Sequence, residues 1–290
     1  MSGPEAPVIT PADFERFREF FHSRTGISFT EAKRYFVDRR ILSCIREAGE
    51  DSFAGWFASV RRGHEPDLMQ SLINELTVNE TYFLREDHQF DCLINSVLPR
   101  IVAAPDRATR RGDPICVLSL PCSTGEEPYS IALRLLAEWT GIDEYDVSIV
   151  AADIDTDVLA AARHGRFGMR SLQRVPPAWL RRYFVADGPE HYRIDEAIRD
   201  AVEFKVVNIC DPHFPATMPI FDVVFCRNLL IYFDEHSARQ ATENLYAALR
   251  PGGYLFLGHS ESMSRLSGIF TPRRFAEGLV YQRPPKGGSS

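Results

Sequence analysis

The chain has no apolar run near the ~18 residues a membrane helix needs, so no membrane insertion is expected. Its first ten residues carry neither a basic start nor an apolar centre, so no export signal is expected. The six cysteines (Cys44, Cys92, Cys116, Cys122, Cys210 and Cys226) are scattered without one Cys-x-x-Cys pair. That argues against a zinc ribbon and for reduced thiols. Neither metal-ligand spacing nor a Ser-His-Asp set appears among the eight histidines and their surroundings, so no resident metal is expected. Positive charge is in deficit, with 33 Lys and Arg against 40 Asp and Glu, a net charge of -7. A general nucleic-acid binder would show the opposite balance. There is also no Gly-x-Gly-x-x-Gly turn, which argues against a dinucleotide held by its pyrophosphate. What remains is a soluble, cytoplasmic protein.

What is present divides in two. With 44% hydrophobic and 25% charged residues, 290 residues can bury one large core or two ordinary ones. Residues up to about 88 read as helices. Phe14, Phe17, Phe20 and Phe21 recur at helical spacing over 13–22. Val37, Ile41, Leu42 and Ile45 share one side of 35–47, and 53–60 and 68–76 complete the set, with Gly49, Gly63 and Pro66 as breaks. No strand is expected there. From about 115, short apolar runs at 115–120, 147–152, 202–207 and 222–226 alternate with helices at 129–138, 156–163 and 235–249. Pro251-Gly252-Gly253 reads as a stop and turn, and 254–257 and 279–282 as the last strands. Residues 102–114 look like an exposed connection. The expectation is an α/β fold, a mainly parallel Rossmann-like sheet over 89–290 behind an all-helical domain over 1–88. A small antiparallel β insertion is expected about 165–200, around Tyr192-Arg193-Ile194.

Three strand exits carry the chemistry. Ligands of open α/β sheets bind beyond the carboxyl ends of the strands. The run from Phe221 ends in Arg227 and Asn228, a cation and an amide placed to meet a ligand or to serve as an ion pair and a turn. Cys122-Ser123-Thr124-Gly125-Glu126-Glu127 leaves the first strand with two acids where a phosphate would otherwise sit. They would repel an anion and favour a cation, or simply suit a helix N-terminus. Asp153 and Asp155 end the second strand. An acid there hydrogen-bonds a ribose diol, although capping of the next helix suits Asp155. A positively charged nucleoside without phosphate fits this wall, as S-adenosylmethionine does and NAD does not.

Residues 77–86, the loop 122–130, Ala152-Asp153-Ile154-Asp155, the string Cys226-Arg227-Asn228-x-x-Ile231-Tyr232-Phe233-Asp234 and 251–261 resemble, in order, the CheR family of chemoreceptor glutamate methyltransferases. The resemblance covers nearly the whole chain. It implies S-adenosylmethionine as donor, S-adenosylhomocysteine as product and a receptor glutamate as acceptor, esterified at its γ-carboxylate. Matched position by position, the family's cofactor contacts fall on Asn79, Thr81, Arg85, Glu127, Asp153, Asn208, Ile209, Arg227 and Asn228. Arg85 and Tyr232 match the pair proposed to orient the acceptor. Glu126 stays open as the alternative to Glu127. The loop 185–191 is shorter than the one some relatives use to hold a receptor's tethering peptide, so tethered recognition is not expected here. A catalytically idle receptor adaptor and a small-molecule methyltransferase on the same fold are the alternatives.

An ionised glutamate needs no general base at pH 7, so in-line displacement governed by positioning is expected. Between Arg24 and Arg62, eight basic residues face five acids, a local excess of positive charge in an acidic chain. Arg39, Arg40 and Arg46 are the expected docking residues, Arg39 and Arg46 sharing a helix stripe. Their target would be a chemoreceptor's glutamate-rich coiled coil, and the enzyme itself a monomer.

Overall fold

The computed structural model describes residues 8–62, 66–261 and 268–285. Met1 to Pro7 and Gly63, the expected helix break, lie outside them. The chain forms two compact units: Met1–Val78 with Tyr232–Ala238, and Asn79–Ile231 with Arg239–Ser290. The division falls at Val78, ahead of the boundary expected near 88, and a short later segment joins the first unit.

The first unit contains α1 (Pro11–Thr25), α2 (Arg34–Glu47), α3 (Phe53–Arg62) and α4 (Pro66–Leu76). A capping box starts α1: the Asp13 N–H donates to the Thr10 hydroxyl oxygen, and the Thr10 N–H donates back to the Asp13 carboxylate. Helical spacing puts Phe14, Phe17 and Phe21 on one buried face. There the Phe17 ring packs 6.2 Å from those of Trp56 and Phe57. Cutting such a ring back to alanine costs about 3–5 kcal/mol. One strand-like contact does occur, an isolated antiparallel bridge between Ile27 and Phe233. Beside it the Ser28 N–H donates to the Tyr232 carbonyl at 2.9 Å.

The second unit opens with α5 (His88–Cys92), which runs through a π turn at Leu93–Val97 into α6 (Leu98–Val102). Its strands are β1 (Ile115–Ser119), β2 (Val147–Asp153), β3 (Arg166–Gly168), β4 (Phe184–Ala186), β5 (His191–Ile194), β6 (Val202–Val206), β7 (Phe221–Cys226), β8 (Leu249–Leu257), β9 (Thr271–Arg274) and β10 (Leu279–Gln282). Between them lie α7 (Glu126–Glu138), α8 (Thr156–His164), α9 (Met169–Leu172), α10 (Pro177–Tyr183), α11 (Glu196–Asp200), α12 (Phe214–Thr217) and α13 (Glu235–Ala248).

The large sheet has the order β6-β2-β1-β7-β8-β10-β9. The first five strands are parallel and the last two antiparallel. Every residue of β7 is buried, as a central strand covered on both faces must be. The Phe225 and Phe256 rings of neighbouring strands stack at 4.4 Å. A separate sheet, β3-β5-β4, forms the expected antiparallel insertion.

Two expectations are corrected. Pro251-Gly252-Gly253 does not separate helix from strand but lies inside β8, where the Gly252 N–H donates to the Arg283 carbonyl and the Arg283 N–H to that of Gly253. Pairing with the chain beyond β10 supplies partners that a free turn would take from water. Nor is 102–114 only an exposed connection: Arg107 is buried, stacks 5.5 Å from the Tyr145 ring and donates to the Asp113 carbonyl. Strand order reverses at β1, with β2 on one side and β7 on the other. That is the switch point where an α/β sheet opens a crevice at its carboxyl edge.

Candidate active site at the switch point

Ser119, the last residue of β1, donates its hydroxyl to Glu127 Oε1 at 2.7 Å. Arg227, the first residue past β7, donates through Nη1 to Glu127 Oε2 at 2.9 Å. Its Nη2 donates to the Arg85 carbonyl at 2.6 Å and lies 3.3 Å from Glu86 Oε2. The guanidinium sits 5.7 Å from the Phe90 ring, and its buried Nε has no hydrogen-bond partner among the described residues. Burial pushes the Glu127 carboxyl up, against the pull of Arg227 and Ser119. Burial would raise Glu86 too, but Arg227 and His259 outweigh it and hold that carboxyl low.

The two adjacent acids separate in role. Glu126 is buried, accepting from the Thr124 hydroxyl at 2.6 Å and from Ser171 of α9 at 2.7 Å. It fastens the loop to the insertion, while Glu127 joins the charged cluster. Gly125 caps α7 with a left-handed φ of 98°. A Cβ there would fall 2.9 Å from the Tyr129 ring and 3.1 Å from Ala162 Cβ, so the loop's single glycine is required on both counts.

Asp153 ends β2 with its carboxylate nearly buried. It accepts from the N–H groups of Ser123 at 2.9 Å and Asp155 at 3.1 Å, and burial pushes its pKa up to about 6. Asp155 caps α8 through the N–H groups of Asp157 and Val158, and it accepts from the Asn79 amide at 2.9 Å. Asn208 and Ile209 follow β6 beside it, where the Val207 N–H donates to the Asp153 carbonyl. Asn208 Oδ1 accepts from the Cys210 N–H, and the buried Ile209 offers its carbonyl to Asn244.

Arg85 is half-buried, donates to the Glu80 carbonyl at 2.8 Å and lies 5.9 Å from the Tyr82 ring. Thr81 nearby is half-buried. Leu84 and Glu86 on either side of Arg85 have φ of 58° and 57°; Ser123 and Asn228 have 48° and 59°. These are the left-handed non-glycine residues among those described, and all four lie in the loops of this site. Each such backbone costs on the order of 1–3 kcal/mol, which persists where surrounding contacts over-determine it.

All the expected cofactor contacts thus belong to the second unit. Tyr232 belongs to the first, half-buried, in a segment held to α1. There His22 Nε2 lies 3.0 Å from both Asp234 Oδ2 and Ser237 Oγ. Arg39 and Arg46 are exposed on α2 on one stripe with the exposed Tyr35. Arg40 departs from the docking expectation: it pairs with Glu75 of α4 at 2.9 Å and covers the Phe36 ring at 4.8 Å. Adjacent residues on a helix point about 100° apart, so Arg40 faces the neighbouring helix when Arg39 faces water.

Glu261 was not anticipated. Its carboxylate accepts from the N–H groups of Asn228, Gly258, Leu229 and Leu230 at 2.7, 2.8, 2.9 and 2.7 Å. The signal available was a polar string, Gly258-His259-Ser260-Glu261, directly after a buried strand. Among the described residues no group of three or more His, Cys, Asp or Glu side chains could hold a metal ion, and no helix is long and apolar enough to cross a membrane.

Comparison with known proteins agrees with this division. Residues 12–77 match the family described as "CheR methyltransferase, all-alpha domain", and residues 79–278 match "CheR methyltransferase, SAM binding domain". The chain is 46% identical over 282 residues to "Chemotaxis protein methyltransferase 2" of Vibrio cholerae, covering 97% of this chain and 96% of that one. It is 37% identical to "Chemotaxis protein methyltransferase 2" of Pseudomonas aeruginosa, covering 89% of each. To "Chemotaxis protein methyltransferase" of Escherichia coli it is 34% identical, covering 93% and 91%. This chain belongs to the CheR methyltransferase family, and its larger domain is that family's S-adenosylmethionine-binding domain.

Proposed function

We propose that this enzyme methylates the γ-carboxylate of glutamates on a chemoreceptor's cytoplasmic coiled coil, releasing S-adenosylhomocysteine. One observation carries the reading: at the switch point the carboxylates of Glu86 and Glu127 flank the Arg227 guanidinium, and a third, buried carboxylate, Asp153, ends β2. A crevice with excess negative charge and no glycine-rich phosphate turn suits a sulfonium with a ribose and repels a pyrophosphate. The residues therefore fit S-adenosylmethionine, which when bound supplies an electrophilic methyl group. Asp153 is placed to accept from a ribose diol. Arg227 and Asn228, with Asn79, Thr81, Asn208 and Ile209, complete the contacts. The orphaned Arg227 Nε is a donor still to be matched.

An acceptor glutamate is already ionised at neutral pH, so these side chains need only orient it and exclude water. Arg85 gives a two-pronged hold on a carboxylate, and Tyr232 a single weaker hydrogen bond. The stripe Tyr35, Arg39 and Arg46 on α2 offers an aromatic anchor and two cations to an acidic helical surface. The β4–β5 connection is a tight hairpin in which the Asp187 N–H donates to the His191 carbonyl, and a chain this short supports recognition without a tether. The enzyme works as a cytoplasmic monomer.

The test is transfer of labelled methyl to membranes carrying candidate receptors, followed by mild alkali. Label released as methanol is the expected result. Alkali-stable label would mean nitrogen methylation, and no transfer to any receptor would refute the reading.

A further inference from the structure

The stretch 251–261 supplies none of the cofactor contacts assigned above, yet besides His259 beside Glu86 it delivers Glu261 to the backbone at 228–230. A carboxylate offers about four acceptor positions, and here backbone N–H groups fill them: two from Gly258 and Asn228 on Oε2, two from Leu229 and Leu230 on Oε1. Three successive N–H groups converge in this way because Asn228 takes a left-handed φ of 59°. Such a concave set of amides is an anion-binding nest, and in this protein a side chain of its own occupies it. Gly258 lets the two segments approach: a Cβ there would lie 2.8 Å from both Asn228 Nδ2 and Glu261 Oε2, and 3.1 Å from the Asn228 nitrogen. The turn so held begins next to Arg227, whose guanidinium grips Glu127, and it fixes where the Asn228 amide points.

We infer that Glu261 is a positioning residue for the cofactor site: its carboxylate fills the nest at 228–230 and holds Arg227 and Asn228 in binding geometry. The inference rests on the reading that Arg227 and Asn228 contact the cofactor. Removing the carboxylate leaves four N–H groups facing one another and frees Asn228 to relax out of its left-handed conformation. Partners that orient ligand-contacting groups act on a scale of roughly 10- to 100-fold in affinity.

The experiment is calorimetric titration of S-adenosylhomocysteine into the full-length Glu261→Ala protein, with sodium formate or sodium chloride at equal ionic strength. Affinity should fall roughly 10- to 100-fold in chloride and recover saturably in formate, because the small carboxylate enters the emptied nest. Glu261→Gln should bind as weakly and resist rescue, since the amide occupies the nest and turns N–H groups against N–H groups. Wild-type affinity in a folded Glu261→Ala protein would overturn the inference, as would equal behaviour in formate and chloride. Should Glu261→Ala not fold, Gly258→Ala makes the same test with the charge retained. Its added methyl must displace Asn228 or Glu261, so affinity equal to wild type would also overturn it. Asn228→Ala and Asp153→Asn separate the two levels. If neither alters affinity, the cofactor reading is what fails; if both weaken it while the Glu261 and Gly258 variants do not, the positioning role fails alone.

Discussion

Replacing Arg227 with methionine removes the charge and keeps most of the length of a side chain that is only 2% exposed. Among the described residues, Glu127, its side chain 13% exposed, would retain only the Ser119 hydroxyl, and Glu86 only Gln89 and His259. The Arg85 carbonyl would lose its donor as well. Removing one partner of a buried ion pair costs about 3–5 kcal/mol, because the other charge is left without compensation. For a domain of this size each kcal/mol moves the thermal midpoint by roughly 2–4 °C, so the variant should melt roughly 6–20 °C below wild type at pH 8.

The loss should depend on pH. Burial already raises the Glu127 carboxyl while Arg227 pulls it down, so without the guanidinium it rises further. A carboxyl that titrates higher folded than unfolded costs stability as pH rises through its folded value. The deficit should therefore be larger at pH 8 than at pH 5.5. Arg227→Met combined with Glu127→Gln removes the orphaned charge and should melt above the single variant. Scanning calorimetry at the two pH values measures all of this. A single variant within about 2 °C of wild type at pH 8, or a double variant no more stable than the single, would refute the paired-charge account.

Asp153, whose carboxyl burial pushes to about 6, must be ionised to accept two ribose hydroxyls. Affinity for S-adenosylhomocysteine should be flat from pH 7 to 8 and fall below pH 6, approaching roughly tenfold per pH unit, with Asp153→Asn weak and pH-independent. A flat wild-type titration to pH 5 would remove Asp153 from the site. Glutamate at both Arg39 and Arg46 should depress receptor methylation at low salt without changing calorimetric cofactor affinity. Arg40→Ala should leave docking intact and cost at most about 1 kcal/mol, the scale of a half-exposed pair; weaker docking from Arg40→Ala than from the double reversal would invert the assignment.

The strands of the central sheet were legible because their environment writes itself into composition. Buried on both faces, β1, β2 and β7 become short continuous apolar runs. β9 was not legible: Thr271-Pro272-Arg273-Arg274 is a mostly exposed edge strand, and proline and charge are what edges carry. Helix α5–α6 was hidden by Pro99 and by a π turn that breaks the 3.6-residue period. The return of Tyr232–Ala238 to the first unit could not be read locally. It depends on hydrogen bonds from residues 22 and 28, some two hundred positions away in the chain.

At the site, residue types were readable but not their pairing. Arg227 was open as a ligand contact or an ion pair and Glu127 as a ligand contact or a helix N-terminal acid, and the structure pairs the two with each other, 100 positions apart. That changes the electrostatic argument without reversing it. One acid, Glu126, is consumed by Thr124 and Ser171, and one cation is added, so the wall is less negative than two loop acids alone implied. With Glu86 and Asp153 included, carboxylates still outnumber the guanidiniums of Arg85 and Arg227. The gain is rigidity: ion pairs and backbone caps hold these groups in place before any ligand arrives, so a cationic donor meets dipoles and charges that need not reorganise. A site built by mutual pairing also explains why its loops tolerate four left-handed non-glycine residues, since every one of those loops is tied at two or more points.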